Sequence, residues 1–295
     1  MIGSTLAARL RSRGDDVFVV TRRQPASPNE LRWDPASGKI DEKAFDGMDA
    51  VVNLAGAPIA DRPWTKARRQ LLRESRVDVT QLLHTALAKL AKPPAVFVGA
   101  GGLGRFGNRG EEVLDDDAGP GTGFLAELAL AWEDAHLGAR KYGARAVALR
   151  MPSVLSATGG AFPLMVKPFR LGLGGWLGPG HQYTPWITVR DAVEGFVFAL
   201  DDARVDGCLN LTVPEPPSNY DWCKALGRAL HRPVLMQAPR WALRGAFGEL
   251  ADDLLLASVR AVPKKLLSYG FTFQDTESFA AFAHLVAEYD AIRAR

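Results

Sequence analysis

Three short stretches combine residue types suited to a flat, anionic ligand. Ile2-Gly3-Ser4 opens an amphipathic run in which Leu6, Ala7 and Leu10 share one face at helical spacing. A glycine there permits close packing against a neighbouring strand, and free amides at a helix start attract phosphate oxygens. Thr21-Arg22-Arg23 follows the apolar run Val17–Val20, which reads as a buried strand. An acid at such a strand end would hydrogen-bond a ribose hydroxyl. Arginine instead suits a phosphate, through paired charge-assisted bonds, the alternative being an exposed basic loop. Asn53-Leu54-Ala55-Gly56 ends a second apolar run with side chains small enough for backbone to lie against a ring or sugar.

Other reactive side chains read as structural first. Lys167, Arg170, His181, Tyr183 and Asp191 cluster around glycine-rich stretches, with Trp186 and Phe169 as core aromatics. Asp191 starts a helix and fits a first-turn role. Glu133 and Arg150 are candidates for an ion pair. Tyr220 and Lys224 place a phenol one helical turn from an ammonium, but just after the cap Ser218-Asn219, so they read as a helix start. Cys208 and Cys223 have no metal-ligand spacing and suit free, buried thiols in a reducing compartment. No nucleophile–base set, metal-ligand set or pair of carboxylates stands out, so the catalytic residues stay unassigned and no metal is expected.

The elements that would carry these residues alternate. Strand-like Val17–Val20, Ala50–Leu54, Val96–Val98 and Ala146–Leu149 are separated by helical stretches over Trp64–Leu90 and Phe124–Tyr142. That order predicts an α/β fold of Rossmann type, a doubly wound parallel sheet covered on both faces. Beyond Met151, glycine and proline crowd the chain and predict loops rather than regular sheet. Helices follow over Asp191–Leu200 and Tyr220–Leu230, a strand over Cys208–Leu211, and a mostly helical segment over Arg240–Tyr289. The expected division is a nucleotide-binding domain over residues 1–155, which also receives 184–212. A smaller, loop-rich and helical substrate domain covers 156–295 and contains a helical unit at 240–290. Lysine plus arginine number 36 against 33 acids, a net charge of +3, which points away from nucleic-acid or membrane-surface partners. With no 18-residue apolar run or leader pattern, a soluble cytoplasmic protein, possible as a homodimer, is expected.

Longer motifs add a family. "NLAGAPI", Trp64, "RESRV" at 73–77, "FLAELALAWE" at 124–133, "PFRLGLGG" at 168–175, "NLTVPEPPSN" at 210–219 and "PKKLLSYGFTF" at 263–273 occur together. The chain resembles the epimerase-like, atypical branch of the extended short-chain dehydrogenase/reductases, which carries a C-terminal domain of unknown role. The resemblance implies an NADP(H)-binding Rossmann domain and a small-molecule substrate. It places Gly3, Thr21 and Arg22, Leu54, Ala55 and Gly56, and Arg76 along the cofactor, with Met151, Pro152 and Ser153 near the nicotinamide. It implies an oxidoreductase or epimerase acting on a small carbonyl or sugar-like compound. The alternative is an inactive NADP(H)-binding sensor or scaffold.

The sequence departs from the family pattern in three places. Phe124 and Leu128 stand where a proton-transferring tyrosine and its lysine belong. Gly99 and Gly101 replace serines, and Arg105 and Phe106 replace tyrosines, leaving backbone amides and one guanidinium that could hold an anion. The chain also begins at the last Ile-Gly of the family's glycine-rich loop, about ten residues of the pattern being absent. Either the true start lies further upstream, or the expectation is a sheet lacking one central strand, with weaker cofactor binding, lower stability, or another segment or chain filling the gap.

Overall fold

The computed structural model describes residues 1–294 apart from Lys39 and Asp41. The first half runs α1 (Ile2–Ser12), β1 (Val19–Thr21), β2 (Glu30–Arg32), β3 (Ala50–Asn53), α2 (Lys66–Arg73), α3 (Val79–Leu87), β4 (Val96–Gly102), β5 (Val113–Leu114), α4 (Phe124–Leu137) and β6 (Arg145–Met151). Short strands β7 (Ser153–Ser156) and β8 (Gly159–Gly160) lead to α5 (Phe162–Arg170), β9 (Gly175–Leu177) and β10 (Trp186–Thr188). Then come α6 (Val189–Asp201), β11 (Gly207–Asn210), α7 (Asn219–Ala229), β12 (Met236–Ala238) and α8 (Arg240–Phe247). Strand β13 (Arg260–Ala261) and helices α9 (Lys264–Ser268) and α10 (Ser278–Arg293) complete the chain.

The alternation produces the expected parallel sheet, in order β11-β6-β4-β3, with β1 and β2 paired parallel beside it as a separate ribbon. Both pieces share the same two apolar layers. On one side Val17, Val52 and Leu54 pack with Leu6 of α1 and Phe196 of α6. On the other, Trp33 and Val51 pack with Leu83, Leu87 and Phe97. Among the described strands, none pairs with the second edge of β1 or of β3. This revises the reading of Val17–Val20 as a buried strand. The strand begins at Val19, and Phe18, Val19 and Val20 are 40%, 37% and 40% exposed, because β1 has a neighbour on only one side.

The glycine-rich stretch after Met151 also differs from expectation. It holds β7 to β10, paired over long sequence separations: β7 with β10, and β9 with β12. A local reading could not see these partners. Lys66–Leu87 is one continuous helical rod interrupted by a π-turn at Glu74–Asp78, a kind of irregularity that tends to occur at functional positions. Among the described residues no helix is long and apolar enough to cross a membrane.

Candidate functional site

Open parallel sheets bind ligands beyond the carboxyl ends of their strands, and the chain is tied down there by a buried polar chain of contacts. Asn53, the last residue of β3, is 5% exposed. Its Nδ2 donates to Thr80 Oγ1 at 2.8 Å, and its Oδ1 accepts from the Ala55 amide at 3.0 Å. This local bond turns the backbone out of the strand. The Ala57 amide then donates to Ser75 Oγ at 3.1 Å. Arg76, inside the π-turn, donates to the carbonyls of Ala57 at 2.9 Å and Leu72 at 3.2 Å. Its guanidinium lies 5.0 Å from the Trp132 ring centre and against Gly56, where a Cβ would come within 3.2 Å of Arg76 Cζ.

Arg76 meets no carboxylate among the described residues. Burial, with a smaller contribution from the Arg68 charge, lowers its pKa to about 10. A half-desolvated cation that meets only carbonyls and a ring gains most from an arriving anion. Helix α1 brings a second source of positive potential. Its N-terminus has no capping side chain, and a Cβ on Gly3 would stand 3.4 Å from Leu54 Cδ1. Gly3, Leu54, Gly56 and Arg76 are thus linked by contact, with Ala55 bonded into the same turn.

The other expected site residues lie along the same carboxyl edge. Thr21 ends β1 and its hydroxyl accepts from the Arg23 amide at 3.3 Å. Arg22 is exposed and forms no hydrogen bond or ion pair among the described residues. Met151 is buried opposite Gly102, Pro152 is half-buried, and Ser153 is exposed. No hydrogen bond or ion pair joins these to Arg76.

At the end of β4 the structure explains the glycines and corrects one expectation. A Cβ on Gly99 would fall inside the ring of His136, which is fully buried and whose Nε2 lies 2.9 Å from the Ala100 carbonyl. Burial, the largest cause, lowers the His136 pKa to about 4, so the ring is neutral. Arg105 is not a free guanidinium for a ligand. It donates to Glu133 Oε2 at 2.9 Å, while Arg150 bonds both Glu133 oxygens at 2.9 and 3.1 Å. The expected Glu133–Arg150 pair is therefore present, and Arg105 completes a buried triad. Burial, with Glu133 adding, pushes the Cys208 thiol up to about 11, and burial pushes Cys223 to about 12, so neither is a thiolate near neutrality.

Most second-half candidates have structural partners. Arg170 pairs with Asp290, and Tyr183 lies under Arg260. Asp191 accepts from the Gln274 and Asp275 amides at 2.9 Å each, while Thr188 caps α6. Trp186 and Phe169 are core. Lys224 donates to the Val234 carbonyl and sits over the Tyr220 ring on α7, as a helix start would allow.

A polar cleft of about 410 Å³ lies beside these elements, bounded by Gly104 and Gly107 after β4, Gly123 and Leu125 at the start of α4, and Arg240, Asp252 and Asp253 from the C-terminal segment. The sequence reading missed its charged wall. It also missed His136 and Trp132, for which the i, i+4 spacing on the Phe124–Leu137 helix was the only local signal.

Sequence comparison gives the geometry a family. Residues 1–211 match the NAD dependent epimerase/dehydratase family. The chain belongs to that family. Residues 238–285 match a domain of unknown function, DUF1731. Epimerase family protein Mb2239 of Mycobacterium bovis is 42% identical over 273 residues, spanning 92% of this chain and 90% of that protein. Human epimerase family protein SDR39U1 is 33% identical over 291 residues, 97% of this chain and 96% of its own length. The crystal structure of human SDR39U1 isoform 2 with NADPH superimposes with a TM-score of 0.87 at 32% identity, covering 97% of this chain and 96% of that one. A complex of MoeE5 with UDP-glucuronic acid and NAD shares the fold, with a TM-score of 0.73 at 20% identity.

Proposed function

We propose that this member of the epimerase/dehydratase family binds NADP(H) and acts as an oxidoreductase or epimerase on a small carbonyl or sugar-like substrate. The observation that carries the reading is Arg76, a half-buried guanidinium with no carboxylate partner among the described residues, set beside Gly56 after the end of β3. The uncapped α1 start over Leu54 and the exposed, unengaged Arg22 at the end of β1 supply two further positive positions. Arg22 suits a 2′-phosphate and so favours NADP(H) over NAD(H). Human SDR39U1, a relative over nearly the whole chain, has been crystallised with NADPH, which supports the same choice.

These residues fit a dinucleotide: Arg76 and the α1 amides for anionic oxygens, Gly3 and Gly56 for close backbone approach, and Arg22 for the adenosine end. A nicotinamide held there would supply or accept a hydride, with Met151, Pro152 and Ser153 as the residues nearest its ring in this reading. A second reading, an NADP(H)-binding sensor or scaffold without turnover, is favoured by one feature. Phe124 packs edge-on against Trp64 at 5.1 Å and under Arg69, so no phenol is offered at the α4 start.

Titration calorimetry with NADPH and NADH tests the cofactor assignment. Micromolar or tighter NADPH binding, about −8 kcal/mol, with weaker NADH binding is expected; equal or absent binding overturns it. NADPH consumption with a panel of aldehydes, quinones and keto-sugars separates the enzyme from the sensor.

A further inference from the structure

The cleft beside α4 is walled by segments more than a hundred residues apart in the chain, and its charged groups are engaged to different degrees. Arg244 is held by both oxygens of Asp252, at 2.9–3.0 Å. Arg240, on the same wall, forms no hydrogen bond or ion pair among the described residues. Asp253 reaches across to the start of α4, where Oδ2 accepts from the Leu125 amide at 3.5 Å. A Cβ on Gly123 would stand 3.2 Å from that oxygen, so glycine leaves it room. Gly123 also has a φ of 101° and no side chain to cap the helix, and Asp253 takes that place from outside.

Burial, then the neighbouring charges of Glu249 and Asp252, raise the Asp253 pKa, while the Leu125 amide and Arg69 oppose the shift. Glu249 is itself paired with Arg69. A carboxyl in this setting keeps its proton to higher pH than an exposed aspartate and can donate it in a hydrogen bond. With Asp252 committed to Arg244 and Asp253 to the Leu125 amide, Arg240 is the cation of this wall that meets no carboxylate among the described residues. The volume of about 410 Å³ suits a small metabolite rather than a polymer.

We infer that this cleft binds a small oxo or hydroxy compound bearing an acidic group, with Arg240 pairing the acid and Asp253 hydrogen-bonding the oxygen. The inference rests on the small-carbonyl reading of the protein and deepens it. It gives the 238–285 segment a role: completing the substrate site and bringing a carboxyl to the start of α4, where the Phe124 side chain offers no polar group.

The test uses the full chain and two acidic probes, phenylpyruvate and dihydroxyacetone phosphate, against the uncharged ethyl phenylpyruvate and dihydroxyacetone. Binding is followed by calorimetry and by the amide resonance of Leu125. At least one acidic probe is expected to bind ten-fold or more tightly than its uncharged partner. Arg240→Gln should remove that preference, and Arg240→Lys should restore part of it. The Leu125 amide should titrate with a midpoint above the usual aspartate range, move on probe binding, and lose its titration in Asp253→Asn. Equal binding of acidic and uncharged probes, no binding of any probe, or a Leu125 midpoint in the ordinary aspartate range overturns the inference. NADPH is titrated separately. NADPH binding without probe binding refutes the cleft alone, and probe binding without NADPH binding refutes the cofactor reading alone.

Discussion

The carboxyl edge of the sheet and the cleft under the C-terminal helices both present arginines, but they hold them in opposite ways. Arg76 is half-buried, lies over Trp132 and is bonded only to carbonyls. Arg240 and Arg244 lie on an exposed helix, one unengaged and one paired with a carboxylate that is itself exposed. A buried cation is costly to leave unpaired, so its position selects an anion strongly and tolerates little change. An exposed cation is screened and mobile, so it adjusts to different ligands and contributes little to stability. The Arg105–Glu133–Arg150 triad is a third case: Glu133 and Arg150 are buried and Arg105 is half-buried, each guanidinium bonds the carboxylate, and the group holds the end of β4 rather than a ligand.

The largest effect that would sharpen this contrast comes from the triad. Glu133→Ala leaves two guanidinium groups facing each other in the interior, and a loss of about 4 kcal/mol in denaturant-derived stability is expected; a change under about 1 kcal/mol would mean that the triad is solvated.

Next comes acid. His136 has its pKa lowered in the folded state, so its contribution is complete above the unfolded value near 6.5 and lost as pH falls toward about 4. Roughly 3 kcal/mol should disappear across that window, measured as the urea midpoint against pH, and His136→Gln should flatten this part of the curve.

Arg76→Met is expected to weaken NADPH binding by about 2 kcal/mol, some thirty-fold, while leaving or slightly raising the unfolding temperature. A stability loss with unchanged NADPH affinity would reverse the assignment and make Arg76 a structural residue.

The smallest effect belongs to the exposed wall. Arg244→Gln breaks its pair with Asp252, and a change below about 0.5 kcal/mol, vanishing at high salt, is expected in thermal unfolding.

Much of the fold was legible locally. The alternation of apolar runs and helical stretches marked β3, β4, β6 and the helices between them, and Ser218 marked the start of α7 through its side-chain cap. The strand-end residues Leu54, Ala55 and Gly56 were also readable as a turn, because they sit at a boundary that their own neighbours create, whereas Arg76 was named only through the family resemblance. The glycine-rich stretch was not. Strands β7, β9 and β10 owe their existence to partners elsewhere in the chain, β8 only folds back on β7, and the residues of all four carry no two-residue alternation long enough to detect. Arg105 misled for a related reason: beside three glycines it resembles a ligand group, and only the fold shows Glu133 within reach.

The sequence by itself determined the class of fold, the family and the row of small and basic residues that ends the parallel strands, since these follow from periodicity, turn chemistry and contiguous motifs. Tertiary structure alone decided which charges are satisfied. Whether Arg76 meets carbonyls or a carboxylate, whether Arg105 has a carboxylate, and whether Asp253 faces the start of α4 depend on partners up to 19, 28 and 128 residues away. Burial and pairing are properties of the folded interior, where the cost of a charge is set by everything packed around it.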